Sequence, residues 1–404
     1  MHFFMRTKED GRIMRRGIFL ATLLIVAVMT CSGAAFAAAP SGEPIKIGYL
    51  ATLTGDGATW GQHERDGALM KIKEINAAGG LLGRPVELIC YDVRGRQEDA
   101  IQAARRLVHE DKVVAIGGTN YSGLNIATQP IVSAAKVPQI GSASTNPAVT
   151  VDPKTGQVYP YMFRICYTDP YQGKVMADYL FNSLKVKSAA VITDIGSDYS
   201  EGLKEFFLAQ AKVLGGDVKG VWAFRSGDVD FRAQLTEMKA SGAEAVALPI
   251  LYKEMGLIMK QAESLGWKPI FIGGDGYSPA IHEIAGDTLE KSYWVYSMNL
   301  LAPELLEFNE KFKKEYGRDA FELSNAAFGY DITTWIADAI TRAGKAEGPA
   351  VRDAIEDTKD LKLVHFTLTV DKPTHNPLNK PAAMMIWKDK KINFLEMWAP
   401  QEKF

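Results

Sequence analysis

Three kinds of residue are scarce in this 404-residue chain, and each scarcity closes off a class of function. The cysteines number three, Cys31, Cys90 and Cys166, too few for a disulfide scaffold or a thiolate metal cluster. Cys90 and Cys166 could pair as one disulfide, but both sit in apolar, strand-like runs (residues 88–91 and 163–166), which favour buried free thiols. The six histidines, at positions 2, 63, 109, 282, 365 and 375, have no metal-ligand spacing, so no metal site is expected. Surplus charge is also missing. With 46 Lys and Arg against 48 Asp and Glu, the formal net charge is −2, which gives no argument for nucleic acid.

Catalytic signatures are absent too. There is no G-x-S-x-G elbow and no G-x-x-x-x-G-K-[ST] phosphate loop. Gly55-Asp56-Gly57 followed by Gly61 resembles a dinucleotide fingerprint, but its last glycine falls one residue late. Trp60 fills the place where that glycine must let helix pack on strand. No carboxylate pair stands out as an acid/base couple. The expectation is a binding protein without a cofactor, not an enzyme.

Long apolar runs are lacking except at the N-terminus. There Arg15-Arg16 precede an apolar run over 18–30, and Ala35-Phe36-Ala37 supplies an A-x-A cleavage site. This is the layout of a secretory signal peptide, and the run is short of the roughly 20 apolar residues of a membrane span. Residues 1–37 are therefore expected to be removed and the mature protein to be exported to the periplasm. Roughly 360 residues then remain, more than one ordinary core holds, so two lobes are the default.

What is present is an alternation of strand and helix patterns from Ile45 onward. Strands are read at 45–50, 86–91, 113–116 and 138–140, with helices at 65–78, 97–110 and 124–135 between them. The pattern restarts at 189–193 and runs through strands at 218–223, 245–249 and 270–272, with helices at 200–214, 231–240 and 253–265. The fold class is thus α/β: two doubly wound lobes, each a parallel sheet covered by helices on both faces. Three crossings are expected near 166–169, 295–299 and 368–371. They divide the chain into lobe 1 at 38–166, lobe 2 at 167–297, lobe 1 again at 298–369 and lobe 2 again at 370–404.

Two strand ends carry the strongest functional signal. The run at 113–116 empties into Gly117-Gly118-Thr119-Asn120-Tyr121-Ser122-Gly123, and the run ending at Gln139-Ile140 opens into Gly141-Ser142-Ala143-Ser144-Thr145-Asn146-Pro147. Ligands of open α/β sheets lie beyond the carboxyl ends of the strands. Free backbone N–H groups, a helix N-terminus and short hydroxyls there suit a carboxylate or another small anion. Ser122 also reads as a helix N-cap.

In their order and spacing, several landmarks resemble the type I periplasmic binding proteins of the branched-chain amino acid group, the Leu/Ile/Val receptors of ABC importers. They are Ile47-Gly48 through Thr54-Gly55, Trp60-Gly61, Ile75-Asn76-Ala77-Ala78-Gly79-Gly80, Tyr121-Ser122-Gly123, Ser144-Thr145-Asn146-Pro147, Phe163-Arg164, Asp198-Tyr199 with Gly202, and Gly273-Gly274-Asp275-Gly276. The resemblance implies a monomeric receptor that closes its lobes on an amino acid and delivers it to an ABC permease in the inner membrane. It further implies that Ser122 and Thr145, in loops that include Tyr121 and Ser144, hold the ligand carboxylate. The Ala143 carbonyl and the Thr145 hydroxyl would take part of the ammonium, and Asp275 would complete that end. Tyr199 would close from the second lobe, and Trp60 would wall the side-chain pocket.

Five positions depart from that pattern. Asp275 is one methylene shorter than the family's glutamate, and Leu251 replaces a tyrosine, with Tyr252 beside it as a substitute. Asn325 falls near an aromatic wall position, and Gly95 and Tyr121 stand where a loop disulfide would be. These changes keep a receptor for another small polar ligand open (an amide, a urea-like compound or an aromatic acid), as well as a ligand-sensing partner in signalling.

Overall fold

Ile45–Ala51 is the spine of the first sheet, with six of its seven residues buried, as a strand covered on both faces requires. The computed structural model describes residues 39–399, so the expected signal peptide and its Ala37 cleavage site lie outside the described residues. No described helix is long and apolar enough to cross a membrane. Strand β1 (Ile45–Ala51) pairs in parallel with β2 (Val86–Asp92) on one side and β3 (Ala115–Gly117) on the other; β4 (Gln139–Gly141) and β5 (Met162–Arg164) complete the order β2-β1-β3-β4-β5. Helices α1 (Ala58–Ala77), α2 (Gln97–Arg106) and α3 (Ser122–Ala135) connect these strands.

After β5 the chain passes to a second sheet of order β16-β15-β10-β9-β8-β6-β7. Its parallel part is β6 (Ser188–Asp194), β7 (Asp217–Phe224), β8 (Ala245–Leu248), β9 (Ile270–Gly273) and β10 (Ser292–Tyr296). Helices α4 (Asp169–Asp178), α5 (Asp198–Val213), α6 (Arg232–Ala240), α7 (Tyr252–Ser264) and α8 (Ile281–Ala285) flank it. Beyond β10 come α9 (Pro303–Tyr316), α10 (Leu323–Ala343) and α11 (Gly348–Glu356), with α10 packed along α1. A terminal hairpin of β15 (Ala382–Lys388) and β16 (Lys391–Trp398) joins this sheet, with β15 antiparallel to both β16 and β10.

Three expectations need correction. The first helix begins at Ala58 rather than near 65, because its first turns bury Trp60, Gly61 and Glu64 on several sides and show no one-sided stripe. Directly after the first crossing, residues 169–178 form a helix that the strand and helix patterns did not include, started by Pro170 in its first turn. The third crossing lies later than 368–371. There β13 (Val370–Asp371) pairs with β14 (Asn376–Pro377), and the His375 ring between them stacks on Phe163 of β5 at 4.1 Å. The chain reaches the second sheet only through residues 378–381. Short paired segments such as β11 (Leu361–Lys362) with β12 (Thr367–Leu368) carry too little pattern to be distinguished from a crossing.

Helices α1 and α10 meet through glycines. A Cβ on Gly67 would lie 1.9 Å from the Ala326 carbonyl oxygen, and one on Gly329 would lie 1.8 Å from that of Glu64. The obstacle in both cases is backbone, which cannot swing aside. Gly329→Ala should therefore force the helices apart and destabilise the protein by about 1–3 kcal/mol. An unaltered urea midpoint would refute this close contact.

Candidate ligand site between the lobes

The carboxyl ends of both sheets face one cavity of about 560 Å³. Seven of the nine expected residues line it: Trp60, Tyr121, Ser122, Ala143, Tyr199, Tyr252 and Asp275. Ser144 and Thr145 do not reach its wall. Both are fully buried behind it, where the Thr145 hydroxyl faces the carboxyl of Asp169 at the start of α4. The reason lies in the turn after β4: the Thr145 carbonyl accepts the Asp169 N–H at 2.9 Å, which draws this residue toward α4. Ser122 is not the N-cap either. It is the first helical residue of α3, with Tyr121 in the capping position and no side-chain cap. Its hydroxyl instead accepts the Asn146 N–H at 3.2 Å and ties the two strand-end loops together.

A buried arginine holds the second loop from beneath. Arg164, at the end of β5, donates from Nη1 to the Ser144 carbonyl at 2.8 Å, and from Nη2 to the Asn146 carbonyl at 2.8 Å and the Thr150 hydroxyl at 3.0 Å. The loop after β3 is braced in the same way by Asn125, whose side chain accepts the Thr119 N–H at 3.1 Å and donates to the Thr119 carbonyl at 2.8 Å. Both loops are thus fixed before any ligand arrives, which lowers the ordering cost of binding.

The second lobe supplies the opposite pole. Asp275 follows β9, and its Oδ1 accepts from Gln172 Nε2 at 3.0 Å while its backbone N–H donates to Gln172 Oε1 at 2.7 Å. The same amide therefore holds side chain and main chain of Asp275 together. Oδ2 is buried and has no partner. Burial raises the Asp275 pKa to about 7, against the Gln172 hydrogen bond and the nearby Tyr199 hydroxyl, which lower it. Tyr199 Oη accepts the Gly276 N–H at 3.1 Å and so fixes the loop from α5. Asp169 nearby is held well above the usual carboxylate range, first by burial, opposed by the Thr145 hydroxyl, and raised further by the Asp275 charge.

Aromatic rings close the side of the cavity across the lobes. Trp60 meets Tyr252 edge-on with centroids 5.1 Å apart and lies 6.0 Å from Tyr121. The lobes are also joined by Lys253 Nζ to Asp56 at 2.9 Å, by Asn146 Nδ2 donating to the Asp198 carbonyl at 2.7 Å, and by the Ser278 hydroxyl donating to Glu322. The conformation is a closed one. Gln172, Arg164 and the wall residues Tyr296, Ser324 and Phe328 were not read as site residues from the sequence. Arg164 carried a signal, standing in the Phe163-Arg164 landmark; Gln172 carried none, since a glutamine in a first helical turn is unremarkable. Cys90 and Cys166 are both free thiols, as their runs suggested.

Two α/β lobes closed over a pocket at their strand ends define an architecture, and the family model described as "Periplasmic binding protein" matches residues 44–391. The chain belongs to this family. Among its relatives is an amino acid binding protein of Pseudomonas aeruginosa, 35% identical over 66% of this chain and 67% of its own length. The leucine binding protein LivK of Thermotoga maritima is 32% identical and superposes with a TM-score of 0.81 over 88% of this chain and 99% of its own. LivJ of Streptococcus pneumoniae, solved in complex with isoleucine, is 29% identical with a TM-score of 0.81, covering 89% and 100% of the two chains. The fold is that of type I periplasmic binding proteins, and the resemblance expected from the landmarks holds.

Proposed function

We propose that this periplasmic binding protein is the extracytoplasmic receptor of an ABC importer, which closes on an amino acid of the branched or aliphatic kind and presents it to a membrane permease. The observation that carries the reading is the pairing of two poles across one closed cavity. On one side stand rigid loops with Ser122 and Ala143 at the cavity wall; on the other is Asp275, with a buried oxygen lacking a partner. A zwitterion taken out of water needs fixed donors at one end and a negative charge at the other. The apolar and aromatic walls at Trp60, Leu251, Tyr252 and Phe328 suit the side chain between them. No step in this reading calls for bond breaking, and the relatives are named for binding. The arrangement supports a role in which the ligand draws the lobes into the closed form, which a permease can recognise.

Closure predicts a measurable compaction. The lobe contacts Lys253–Asp56 and Asn146–Asp198 belong to the closed form, so the ligand-free protein should populate a more open one. Small-angle scattering should then give a smaller radius of gyration when a saturating amino acid of this class is added. Identical curves with and without a ligand that calorimetry shows to be bound would overturn the closure mechanism.

A further inference from the structure

The cavity wall carries a third polar group that neither pole of the zwitterion uses. Tyr296 at the end of β10 and Ser324 and Asn325 in the first turn of α10 all line the cavity, and all are nearly fully buried. They form a directed chain. Asn325 Nδ2 donates to Glu64 Oε1 at 3.2 Å, and the Ser324 hydroxyl donates to Asn325 Oδ1 at 3.3 Å. With its only proton so used, Ser324 must accept from the Tyr296 hydroxyl, 2.7 Å away. Glu64, buried on α1, ends it as the common acceptor, taking the Ser142 hydroxyl at 2.7 Å as well.

Counting lone pairs and protons shows what remains. Tyr296 and Ser324 keep acceptor capacity on their oxygens, and Asn325 keeps a second amide N–H. The family resemblance placed an aromatic ring near Asn325; here that stretch of wall offers donors and acceptors. A purely hydrocarbon side chain pressed against it would strip water from these groups and return nothing. A side chain of the same shape with one hydroxyl or carboxamide would satisfy them.

We propose that Tyr296, Ser324 and Asn325 form a specificity site that selects, among small branched amino acids, those whose side chain bears a neutral hydrogen-bonding group. The inference rests on the amino-acid reading above. It makes the protein a receptor for threonine-like or asparagine-like ligands, with aromatic walls setting the shape and this patch reading the polar end.

Two isosteric pairs test it by calorimetry on the native protein: threonine against valine and asparagine against leucine. Shape and backbone charges are the same within each pair, so only the polar group differs. The expected result is a preference of about tenfold or more for the polar member of at least one pair. Asn325→Leu, which keeps the volume and removes the amide, should reduce that ratio by about tenfold while both ligands of the pair still bind. If the variant does not fold, the native ratios decide alone. Preferences below tenfold in both pairs would overturn the specificity site and leave the amino-acid reading standing. Failure of all four ligands to bind would overturn the amino-acid reading itself.

Discussion

Asp275→Asn should abolish the protein's preference for ligands that carry an α-ammonium group. On closure the ammonium loses its water and needs the buried carboxylate, whose Oδ2 has no other partner. Removing one member of a buried charge pair costs about 3–5 kcal/mol, more than a hundredfold in affinity. The asparagine keeps the shape and can still bond Gln172, so the change isolates the charge. Leucine and its des-amino analogue 4-methylpentanoate, compared by calorimetry on both proteins, give the measurement. The native protein should strongly favour leucine, and the variant should treat the two nearly alike.

The same carboxyl sets the pH dependence. Burial raises its pKa to about 7 in the closed form. A proton on this carboxyl opposes binding of the ammonium. Affinity for leucine should therefore fall as pH drops below the carboxyl's pKa in the open, ligand-free form, approaching tenfold per pH unit, and level off above it. In Asp275→Asn this slope should vanish. A native protein that binds the des-amino acid as tightly as leucine would sink the amino-acid reading.

Arg164→Met should produce the largest loss of stability at the site, and its binding defect should differ in kind. The guanidinium is fully buried and serves two loop carbonyls and the Thr150 hydroxyl. A methionine fills much of the volume but leaves those acceptors without donors, at a cost of about 3–5 kcal/mol. Urea unfolding should show it as a lowered midpoint. Because the loop that carries Ala143 and Asn146 lies at the carboxylate end, binding of leucine and 4-methylpentanoate should weaken by similar factors. Arg164→Lys, with one charge but no planar fork, should fall between the two. An unchanged midpoint together with unchanged affinities would remove Arg164 from this role.

The two predictions divide along the line between what patterns in the chain reveal and what packing reveals. Strands such as residues 45–51 and 188–194 are legible because a strand buried on both faces is a short unbroken apolar run. Their alternation with helices implies a parallel sheet, and the loops after β3 and β4 announce themselves by glycine and hydroxyls at strand ends. Asp275 and Trp60 are visible through landmarks at fixed spacing. The absence of catalytic motifs was legible too, since a missing motif needs no fold to be noticed.

Other features needed the third dimension. α1 was begun too late and α4 was not read as a helix, because a helix buried on several sides presents no periodic stripe, and the third crossing was set too early because two-residue strands carry no period. Thr145 looked like a ligand donor from its loop, and only the bond from the Asp169 N–H to its carbonyl shows that it turns inward. Gln172 lies 103 residues from Asp275, and Tyr296, Ser324, Asn325 and Glu64 come from three distant stretches of chain. The sequence by itself determined the class of fold, the absence of catalytic motifs and the two loops that face the cavity, because each of these is written in local composition and spacing. Which groups hold those loops, which amide holds Asp275 and which wall of the cavity is polar were decided by tertiary structure alone, because hydrogen bonding and desolvation depend on neighbours that the chain brings together only when folded.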